Sequence, residues 1–198
     1  MARARSEAYD DRRQEILDRA AGLFARHGFA RTSISTLSRE CNASKAWIYH
    51  YYESKEAILF DILHDHIRML RDAVQAADRP APDPEARLRA LVTALLEAYR
   101  DSDAKHKVLL SELGVLAPEQ QGRIRALERE IVAVFAAAVA ALNPALGKEP
   151  NLIKPVTMSL LGMLNWHFTW FRKDGPLRLE DYAELATRLF INGVKGLA

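Results

Sequence analysis

Apolar residues recur along this chain at intervals of three and four, which places them on one face of an α-helix. In residues 11–27 this stripe consists of Ile16, Ala20, Leu23 and Phe24. Gly28 follows as a helix-ending residue. No segment shows the sustained alternation of apolar and polar residues that is typical of a strand. The sequence therefore predicts an all-α protein with about nine helices.

Capping residues and prolines divide the chain into its predicted elements. Ser33, Ser44 and Ser54 stand where the N-caps of the second, third and fourth helices belong. Asn42 tolerates the left-handed backbone of the turn between the second and third helices. The later helical patterns cover residues 84–101, 104–114, 118–142, 152–172 and 179–195. Residues 1–9 are predicted to be a frayed tail, in which Arg3 and Arg5 either form a basic arm on DNA or lie in solvent.

The third predicted helix has an outer face that is unusual for so short a helix. Ile48 and Tyr52 share the side that should point inward. The opposite side and its margins carry Lys45, Ala46, Tyr49, His50, Trp47 and Tyr51. A short unit cannot bury these rings itself, so the pattern implies a partner. Tyr and His can bond to phosphates or base edges and Trp can pack on sugar, which predicts a DNA-reading helix–turn–helix within residues 32–59.

Lys55 opens the fourth helix directly after its Ser54 cap. The N–H groups at a helix start favour an anion and Lys55 adds a charge, which predicts a phosphate clamp. The alternative is a solvated surface lysine. Net charge adds little to this picture, because the excess is only +2. Residues 1–60 hold ten Lys/Arg and eight Asp/Glu, and residues 61–198 hold eighteen of each, so any basic surface must be local.

Composition points away from membranes and secretion. No apolar run approaches the roughly 20 residues that span a bilayer. The N-terminal stretch MARARSEAYDD lacks the apolar core of a signal peptide. The single cysteine, Cys41, allows no intrachain disulfide. We expect a cytoplasmic protein without a membrane partner.

Residues 12–59 resemble the N-terminal domain of TetR-family transcriptional repressors. The matching points are His27-Gly28-Phe29, Thr32-Ser33-Ile34, the helix from Ser44 to Tyr52 with Tyr49 near its centre, and Ser54-Lys55-Glu56. Trp47 departs from the family, in which a small residue is more common there. This departure bears on the base contacts and hence on the operator sequence.

The resemblance implies an Ω-shaped homodimer that binds a palindromic double-stranded DNA operator and is released by a small-molecule effector. Residues 1–56 would form the DNA-binding domain. Residues 57–198 would bind the ligand and dimerise through the last two long helices. Repression is the expected outcome of binding, although the sequence does not decide between repressor and activator. The implied DNA-binding residues are Thr32, Ser33, Ser44, Lys45, Ala46, Trp47, Tyr49, His50, Tyr51 and Lys55.

The stretch LLGMLNWHFTWF at 160–171 is apolar or aromatic around most of its predicted helix surface. Such a helix is buried on several sides. One face cannot serve both a dimer interface and a ligand pocket, so we expect part of the stretch to line the pocket. The alternative is core and dimer packing for every residue. The predicted pocket residues here are Met163, Asn165, Trp166, His167 and Trp170.

The C-terminal pattern NWHFTWFRKDGPLRLEDYAELATRLFINGVKGL at 165–197 resembles a TetR subgroup whose effectors include acyl-CoA thioesters. This subgroup includes repressors of phenylacetate, fatty-acid and steroid-side-chain breakdown, so phenylacetyl-CoA is a named candidate. The acyl part would lie among aromatic side chains, and the CoA phosphates would meet basic residues near the pocket mouth, such as Arg68, Arg71 or Lys107. The predicted mouth residues are His64, Arg68, Arg71 and Lys107; His64 and Arg68 are alternatively solvated. The rival effector is a hydrophobic or aromatic compound that controls an efflux or stress gene.

Metal, cofactor and enzyme chemistry find no support in the sequence. Asp61, His64, Asp65 and His66 stand close together, but no second cluster of ligands and no HExxH motif accompanies them. The sequence also lacks a G-x-S-x-G motif, a Gly-rich phosphate loop and any nucleophile–base signature. A helical scaffold protein would leave Lys45, Tyr49 and Lys55 without a purpose. We therefore expect a DNA-binding regulator that is not an enzyme and holds no metal or cofactor.

Overall fold

The computed structural model of this chain describes residues 2–79, 81 and 83–197, with side chains from residue 9 onward except at 147 and 150. All regular elements of these residues are helical, as the sequence predicts. The α-helices are α1 (Ala2–His27), α2 (Ile34–Glu40), α3 (Lys45–Tyr51), α4 (Lys55–Ala77), α5 (Pro84–Tyr99), α6 (Asp103–Glu112), α7 (Pro118–Leu142), α8 (Pro144–Gly147), α9 (Pro150–Asn165) and α10 (Leu179–Lys195). Short 3-10 turns lie at Leu113–Val115 and His167–Thr169.

Several helix bounds follow from local signals in the sequence. Gly28 ends α1 with a φ of 82°, a left-handed conformation in which a side chain would be strained. The Asp83 side chain accepts the N–H of Glu85, and Pro84 occupies the first helical position of α5. Helices α7 and α10 run over the two ranges that periodicity predicts.

The predicted tail at residues 1–9 is wrong for the described backbone, because α1 already begins at Ala2. The run ARARSEAYDD contains neither proline nor glycine to end a helix, so the helix continues past the expected start at residue 11. The predicted roles of Arg3 and Arg5 concern side chains that lie outside the described residues.

The predicted helix at 152–172 is also wrong in its last third. Helix α9 ends at Asn165, and a 3-10 turn follows. His167 Nδ1 donates to the Leu164 carbonyl oxygen at 2.8 Å, and the Thr169 hydroxyl donates to the Trp166 carbonyl oxygen at 2.8 Å. These local side-chain bonds compete with the regular helical pattern. Trp170 therefore does not continue the stripe of Met163 and Trp166.

The chain forms two compact units that are not simple halves of the sequence. The first comprises Met1–Ile67 and Ser102–Arg125, and the second comprises Arg68–Asp101 and Ala126–Ala198. The first unit buries Ile16, Phe24, Leu37, Ile48 and Ile58, and the second buries Leu88, Leu95, Phe135, Leu160 and Ile191. The predicted boundary at residues 56/57 concerns DNA contact and ligand binding rather than compactness, and it stays a prediction.

Candidate DNA-binding surface and effector region

Local hydrogen bonds build the turn between α2 and α3. The Ser33 hydroxyl oxygen accepts the N–H of Thr36 at 3.1 Å. The Ser44 hydroxyl oxygen accepts the N–H of Trp47 at 3.1 Å. Both helices therefore carry the predicted N-caps. Asn42 makes the turn with a φ of 49°, the left-handed conformation that asparagine tolerates better than most residues.

The outer face of α3 is exposed as the sequence predicts. Ile48 is fully buried, and Tyr52 is buried just beyond the helix end. Lys45, Ala46 and His50 are exposed, and Tyr49 has 53% of its surface exposed. An exposed tyrosine beside a lysine and a histidine offers hydrogen-bond donors to phosphates and base edges.

Trp47 and Tyr51 are half-buried at the margins of α3 and form part of an aromatic row. The ring centroid of Tyr51 lies 4.9 Å from that of Trp47 and 4.8 Å from that of Tyr9. His50 stands edge-on to Tyr51 at 5.1 Å. Sequence reasoning missed Tyr9, because its contact partner lies 42 positions later along the chain and no local pattern connects them.

The ammonium group of Lys55 makes hydrogen bonds within the protein, so Lys55 is not a solvated surface lysine. It is also not reserved for a phosphate. Its ammonium group donates to the carbonyl oxygens of Phe29 at 2.8 Å and Thr32 at 2.9 Å. It also lies 4.0 Å from the centroid of the Phe29 ring, within the range of a cation–π contact. Two of its three donors thus hold the loop that follows α1. A phosphate contact through the third donor stays a prediction.

Glu112 at the end of α6 contacts the loop that follows α1 through the backbone amide of Phe29. Its carboxylate accepts the Phe29 N–H at 3.3 Å. Nearer the start of α6, Lys105 pairs with Asp18 of α1 at 2.7 Å. Helix α6 therefore supports α1 and the Phe29 loop, a role that no sequence motif indicates.

Among the ten predicted DNA-binding residues, Thr32 is the least available. It is buried, and its hydroxyl donates to the Gly28 carbonyl oxygen at 2.9 Å. Its backbone N–H bonds to the Phe29 carbonyl oxygen at 3.2 Å. Ser33 and Ser44 are exposed, although their hydroxyl oxygens serve as caps. DNA contact by any of the three stays a prediction.

An open groove of about 430 Å³ runs beside α3. Arg13 of α1 forms an ion pair with Asp61 in this groove and lies 3.8 Å from Asp65. The Arg13 guanidinium also lies 5.6 Å from the centroid of the Tyr52 ring. Burial raises the pKa of the Tyr52 phenol above its ordinary value. Arg13 therefore joins α1 to α4 through Asp61 and to the end of α3 through Tyr52.

The predicted pocket residues on α9 and the turn after it divide between two environments. Trp166 is 62% exposed, and Met163 and Trp170 are also exposed. His167 is buried and Asn165 is half-buried. The structure therefore separates an outward set (Met163, Trp166 and Trp170) from an inward set (Asn165 and His167).

The inward set belongs to a cluster of polar aromatic side chains inside the second unit. The Tyr99 hydroxyl donates to Asn165 Oδ1 at 2.6 Å, and the ring of Tyr99 lies 5.5 Å from that of His167. The Tyr182 hydroxyl donates to the Met163 carbonyl oxygen at 2.9 Å, and its ring stacks on His167 at 6.3 Å. Burial raises the pKa of Tyr99 and of Tyr182. We name Tyr99, Asn165, His167 and Tyr182 the tyrosine cluster; sequence reasoning missed its two tyrosines because they lie on other helices.

The four predicted pocket-mouth residues fall in both units. His64 and Lys107 belong to the first unit, and Arg68 and Arg71 to the second. His64 is half-buried and stacks on Phe60 with ring centroids 5.3 Å apart, whereas Lys107 and Arg68 are exposed. Arg71 pairs with Glu130 at 2.9 Å and with Asp72 at 2.6 Å. Their roles toward a ligand stay predictions.

Two family sequence models together match most of this chain. Residues 16–62 match the bacterial regulatory proteins of the tetR family. Residues 81–194 match the tetracyclin repressor-like C-terminal domain. The chain belongs to the TetR family.

Solved structures of TetR-family regulators share the fold of nearly the whole chain. A TetR-family transcriptional regulator from Bordetella parapertussis is 35% identical and superposes with a TM-score of 0.87, covering 94% of this chain and 97% of that one. AibR in complex with isovaleryl coenzyme A and operator DNA is 26% identical with a TM-score of 0.77, covering 90% of this chain and 97% of AibR.

Similarity to a regulator of known name extends over part of the sequence. The HTH-type transcriptional repressor KstR2 of Rhodococcus jostii is 33% identical over 98 residues, which are 50% of this TetR-family chain and 47% of KstR2. The chain thus spans less than half the length of two curated regulators that it matches, since a regulator of Bacillus subtilis is covered over 39%.

Membership of the TetR family answers the question of protein class. TetR-family proteins are DNA-binding transcription regulators, so the prediction of a non-enzymatic regulator is confirmed. Among the described residues, no group of three or more potential ligand side chains could hold a metal ion. In the same part of the chain, no helix is both long and apolar enough to cross a bilayer.

Proposed function

We propose that this chain is a cytoplasmic repressor that binds a palindromic operator as a homodimer and leaves it when a small-molecule effector binds. The observation that carries the proposal is the outer face of α3, which exposes Lys45, Tyr49 and His50 on a capped helix beyond a buried Ile48. A short helix with donors on its free face fits the major groove. Tyr49 and Lys45 would supply the principal base and phosphate contacts.

Dimerisation through α9 and α10 is supported by the apolar residues that these helices leave exposed. On α9 they include Leu152, Met158 and Met163, with Trp166 just beyond the helix end. On α10 they are Leu185 and Leu189, the latter 60% exposed. Gly162 and Gly193 lie among them, and a Cβ added at either would meet no atom within 4 Å. Small residues between large apolar ones allow two helices to approach closely.

We therefore propose that Met163 and Trp166 belong to the dimer interface and not to the predicted pocket. Both lie on the outward side that the tyrosine cluster does not use. Two copies related by a two-fold axis would present two α3 helices, which suits half-sites about 34–36 Å apart.

The effector that we propose is an acyl-CoA thioester, with phenylacetyl-CoA as one candidate. AibR, which shares the fold, has been crystallised with isovaleryl coenzyme A and operator DNA. In this chain the tyrosine cluster offers aromatic surface and hydroxyl groups in the interior of the second unit, a composition that suits an acyl group. Arg68 and Arg71 of the same unit are the candidate partners for phosphate. An effector releases DNA only through a difference in its affinity for the DNA-bound and free conformations.

The rival effector is a hydrophobic or aromatic compound without a CoA group, acting on an efflux or stress regulator. A thermal-shift screen against CoA thioesters, free CoA and matched free acids separates the two, because a ligand of the native state raises the melting temperature by mass action. A hit with a thioester alone, followed by loss of operator affinity in its presence, supports the proposal. A hit with the free acid alone supports the rival.

The repressor proposal itself is tested by DNA binding under a salt titration. The protein is used to select duplexes from a random-sequence library, and affinity for the winning duplex is measured from low to high salt. We expect a palindromic winner and a steep fall of affinity with salt as counterions are released. Failure to select any sequence would refute the proposal.

A further inference from the structure

Tyr9 lies outside the helix–turn–helix and outside the residues 16–62 that match the family sequence model. Its ring nevertheless packs on the recognition helix: the Tyr9 and Tyr51 centroids are 4.8 Å apart with planes tilted by 33°. His50 stands edge-on to both rings, at 6.3 Å from Tyr9 and 5.1 Å from Tyr51. Tyr51 in turn lies 4.9 Å from Trp47. We name Tyr9, Tyr51 and Trp47, with His50 at their side, the aromatic row.

Helix α3 is short, so contacts with side chains of other helices contribute to its stability. It has seven residues, and Ile48 is the one residue within it that is buried. Helices much shorter than about 12 residues are marginal without tertiary contacts. The aromatic row supports the margin of α3 by contacting Tyr51 in its last turn and, through Tyr51, Trp47 in its first.

We propose that Tyr9 is a positioning residue for DNA reading. Its ring fixes Tyr51, and through Tyr51 it fixes Trp47, in the orientation in which α3 meets the bases. Trp47 is half-buried in the first turn of α3, and a large ring at that place needs a defined orientation to discriminate between bases. The inference rests on the proposed function, because it assumes that α3 reads DNA.

The physical gain is preorganisation of the reading surface. Side chains that are already ordered before DNA arrives lose less conformational entropy on binding. Tilted and edge-on rings at these centroid distances are the favourable arrangements for aromatic pairs. Tyr9 remains 41% exposed, so it is not part of the buried core. Its truncation should therefore leave the fold intact while loosening Tyr51.

A direct contact of the Tyr9 hydroxyl with a phosphate is the competing account. The two differ in which part of Tyr9 matters, the ring or the hydroxyl. Tyr9→Phe keeps the ring and removes the hydroxyl, whereas Tyr9→Ala removes both. Tyr9→Leu is a third variant. It has no aromatic ring, and the helix propensity of leucine is close to that of alanine.

The experiment measures binding of the full chain and its variants to a duplex that the wild-type protein has selected from a random library, and to a scrambled duplex of equal length. We expect Tyr9→Ala and Tyr9→Leu to lose about tenfold in affinity for the selected duplex, the scale of one aromatic pair. Affinity for the scrambled duplex and the slope of log affinity against log salt should stay unchanged, because no phosphate contact is lost. Tyr9→Phe should bind as the wild type does.

A double-mutant cycle with Tyr51→Ala tests the route of the effect. If Tyr9 acts through Tyr51, adding Tyr9→Ala to Tyr51→Ala should cause no further loss. Equal losses in Tyr9→Phe and Tyr9→Ala, a smaller salt slope, or additive losses in the double variant would each overturn the inference. A wild-type protein that selects no duplex would refute the proposed function. A selected duplex that Tyr9→Ala binds with unchanged affinity would refute the inference about Tyr9 alone.

Discussion

The surface of α3 and the surface of α9 and α10 both expose large apolar or aromatic side chains, and they differ in what surrounds those side chains. On α3 the exposed Tyr49 stands between Lys45 and His50 on a helix capped by Ser44. On α9 and α10 the exposed large apolar residues are leucines and methionines, with glycines between them. The first surface offers hydrogen-bond donors and positive charge, and the second offers closely packable apolar area.

The difference teaches that exposure alone does not identify a partner. Apolar surface mixed with cationic and hydroxyl groups suits a polyanion, whose phosphates need donors and whose bases need flat rings. Apolar surface with small residues and few charges suits another copy of the same helix. We therefore propose DNA as the partner of α3 and a second copy of the chain as the partner of α9 and α10.

The largest effect is expected at the α9–α10 surface. Leu189→Glu would bury a carboxylate in an apolar interface, and the dimer dissociation constant should rise by about 100-fold or more. Sedimentation equilibrium measures this constant, and Arg188→Ala on the same helix is the matched control. A Leu189→Glu protein that dimerises normally would place the interface elsewhere.

At the α3 surface, Tyr49→Ala should reduce affinity for the selected duplex by about 10- to 100-fold, since it removes a base or phosphate contact. The dimer dissociation constant and the melting temperature should stay at their wild-type values. Fluorescence anisotropy and sedimentation report the two properties independently. Weakened dimerisation in Tyr49→Ala would show that the two surfaces are not separate in function.

Substitution of Lys55 tests whether this residue stabilises the fold or only contacts DNA. Lys55→Met loses two charge-assisted hydrogen bonds and the contact with Phe29, so the free energy of unfolding should fall by about 2 to 3 kcal/mol. Lys105→Met, which breaks the surface pair with Asp18, should cost less than about 1 kcal/mol. Urea denaturation measures both variants. Unchanged stability in Lys55→Met, with weaker DNA binding, would make Lys55 a phosphate clamp alone.

The buried pair His66 and His106 belongs to neither surface, so acid should weaken the fold without acting on either. His66 Nε2 lies 3.4 Å from His106 Nδ1. Burial lowers the pKa of His66 to about 3, with smaller contributions from His106 and Lys105. The unfolded chain takes up a proton below about pH 6.5, whereas the folded His66 does so only near pH 3. Stability is therefore full above pH 6.5 and falls continuously between these two values.

The corresponding loss between pH 7 and pH 5 is about 2 kcal/mol in the free energy of unfolding. Urea denaturation at the two pH values checks it. His66→Gln should reduce the difference, and His64→Gln, on the same helix and half-buried, should leave it in place. An equal pH dependence in His66→Gln would assign the effect to other groups.

The smallest expected effect is a change in the salt dependence of DNA binding, which should not occur for dimerisation. Lys45→Ala should lower the salt slope of DNA binding by about one per protomer if Lys45 contacts one phosphate. The dimer dissociation constant should be nearly independent of salt in both proteins, because the residues proposed to meet across the dimer interface are leucines, methionines and a tryptophan. A steep salt dependence of dimerisation would contradict this comparison.

Local signals in the sequence predict much of this fold. The caps at Ser33 and Ser44, the left-handed Asn42 and the terminal Gly28 act within a few residues of themselves. They are therefore legible without tertiary information. The inward Ile48 and outward Tyr49 follow from helical spacing alone.

Other features depend on residues far apart in sequence, and no local pattern reveals them. Tyr9 meets Tyr51, Lys55 meets the carbonyl of Phe29, and Tyr99 meets Asn165. Periodicity also extended the aromatic run past Asn165, because side-chain bonds such as that of His167 to Leu164 depend on rotamers rather than on residue type.

The membership of Ser102–Arg125 in the first unit has a consequence for synthesis on the ribosome. The contacts of Lys105 with Asp18 and of Glu112 with Phe29 form only after α6 has left the exit tunnel. The nascent helix–turn–helix therefore lacks these two contacts while α4 and α5 are translated. A chimaeric regulator that joins residues 1–67 alone to the C-terminal part of another protein would likewise lack the contacts of α6. Such chimaeras should therefore include α6 together with residues 1–67.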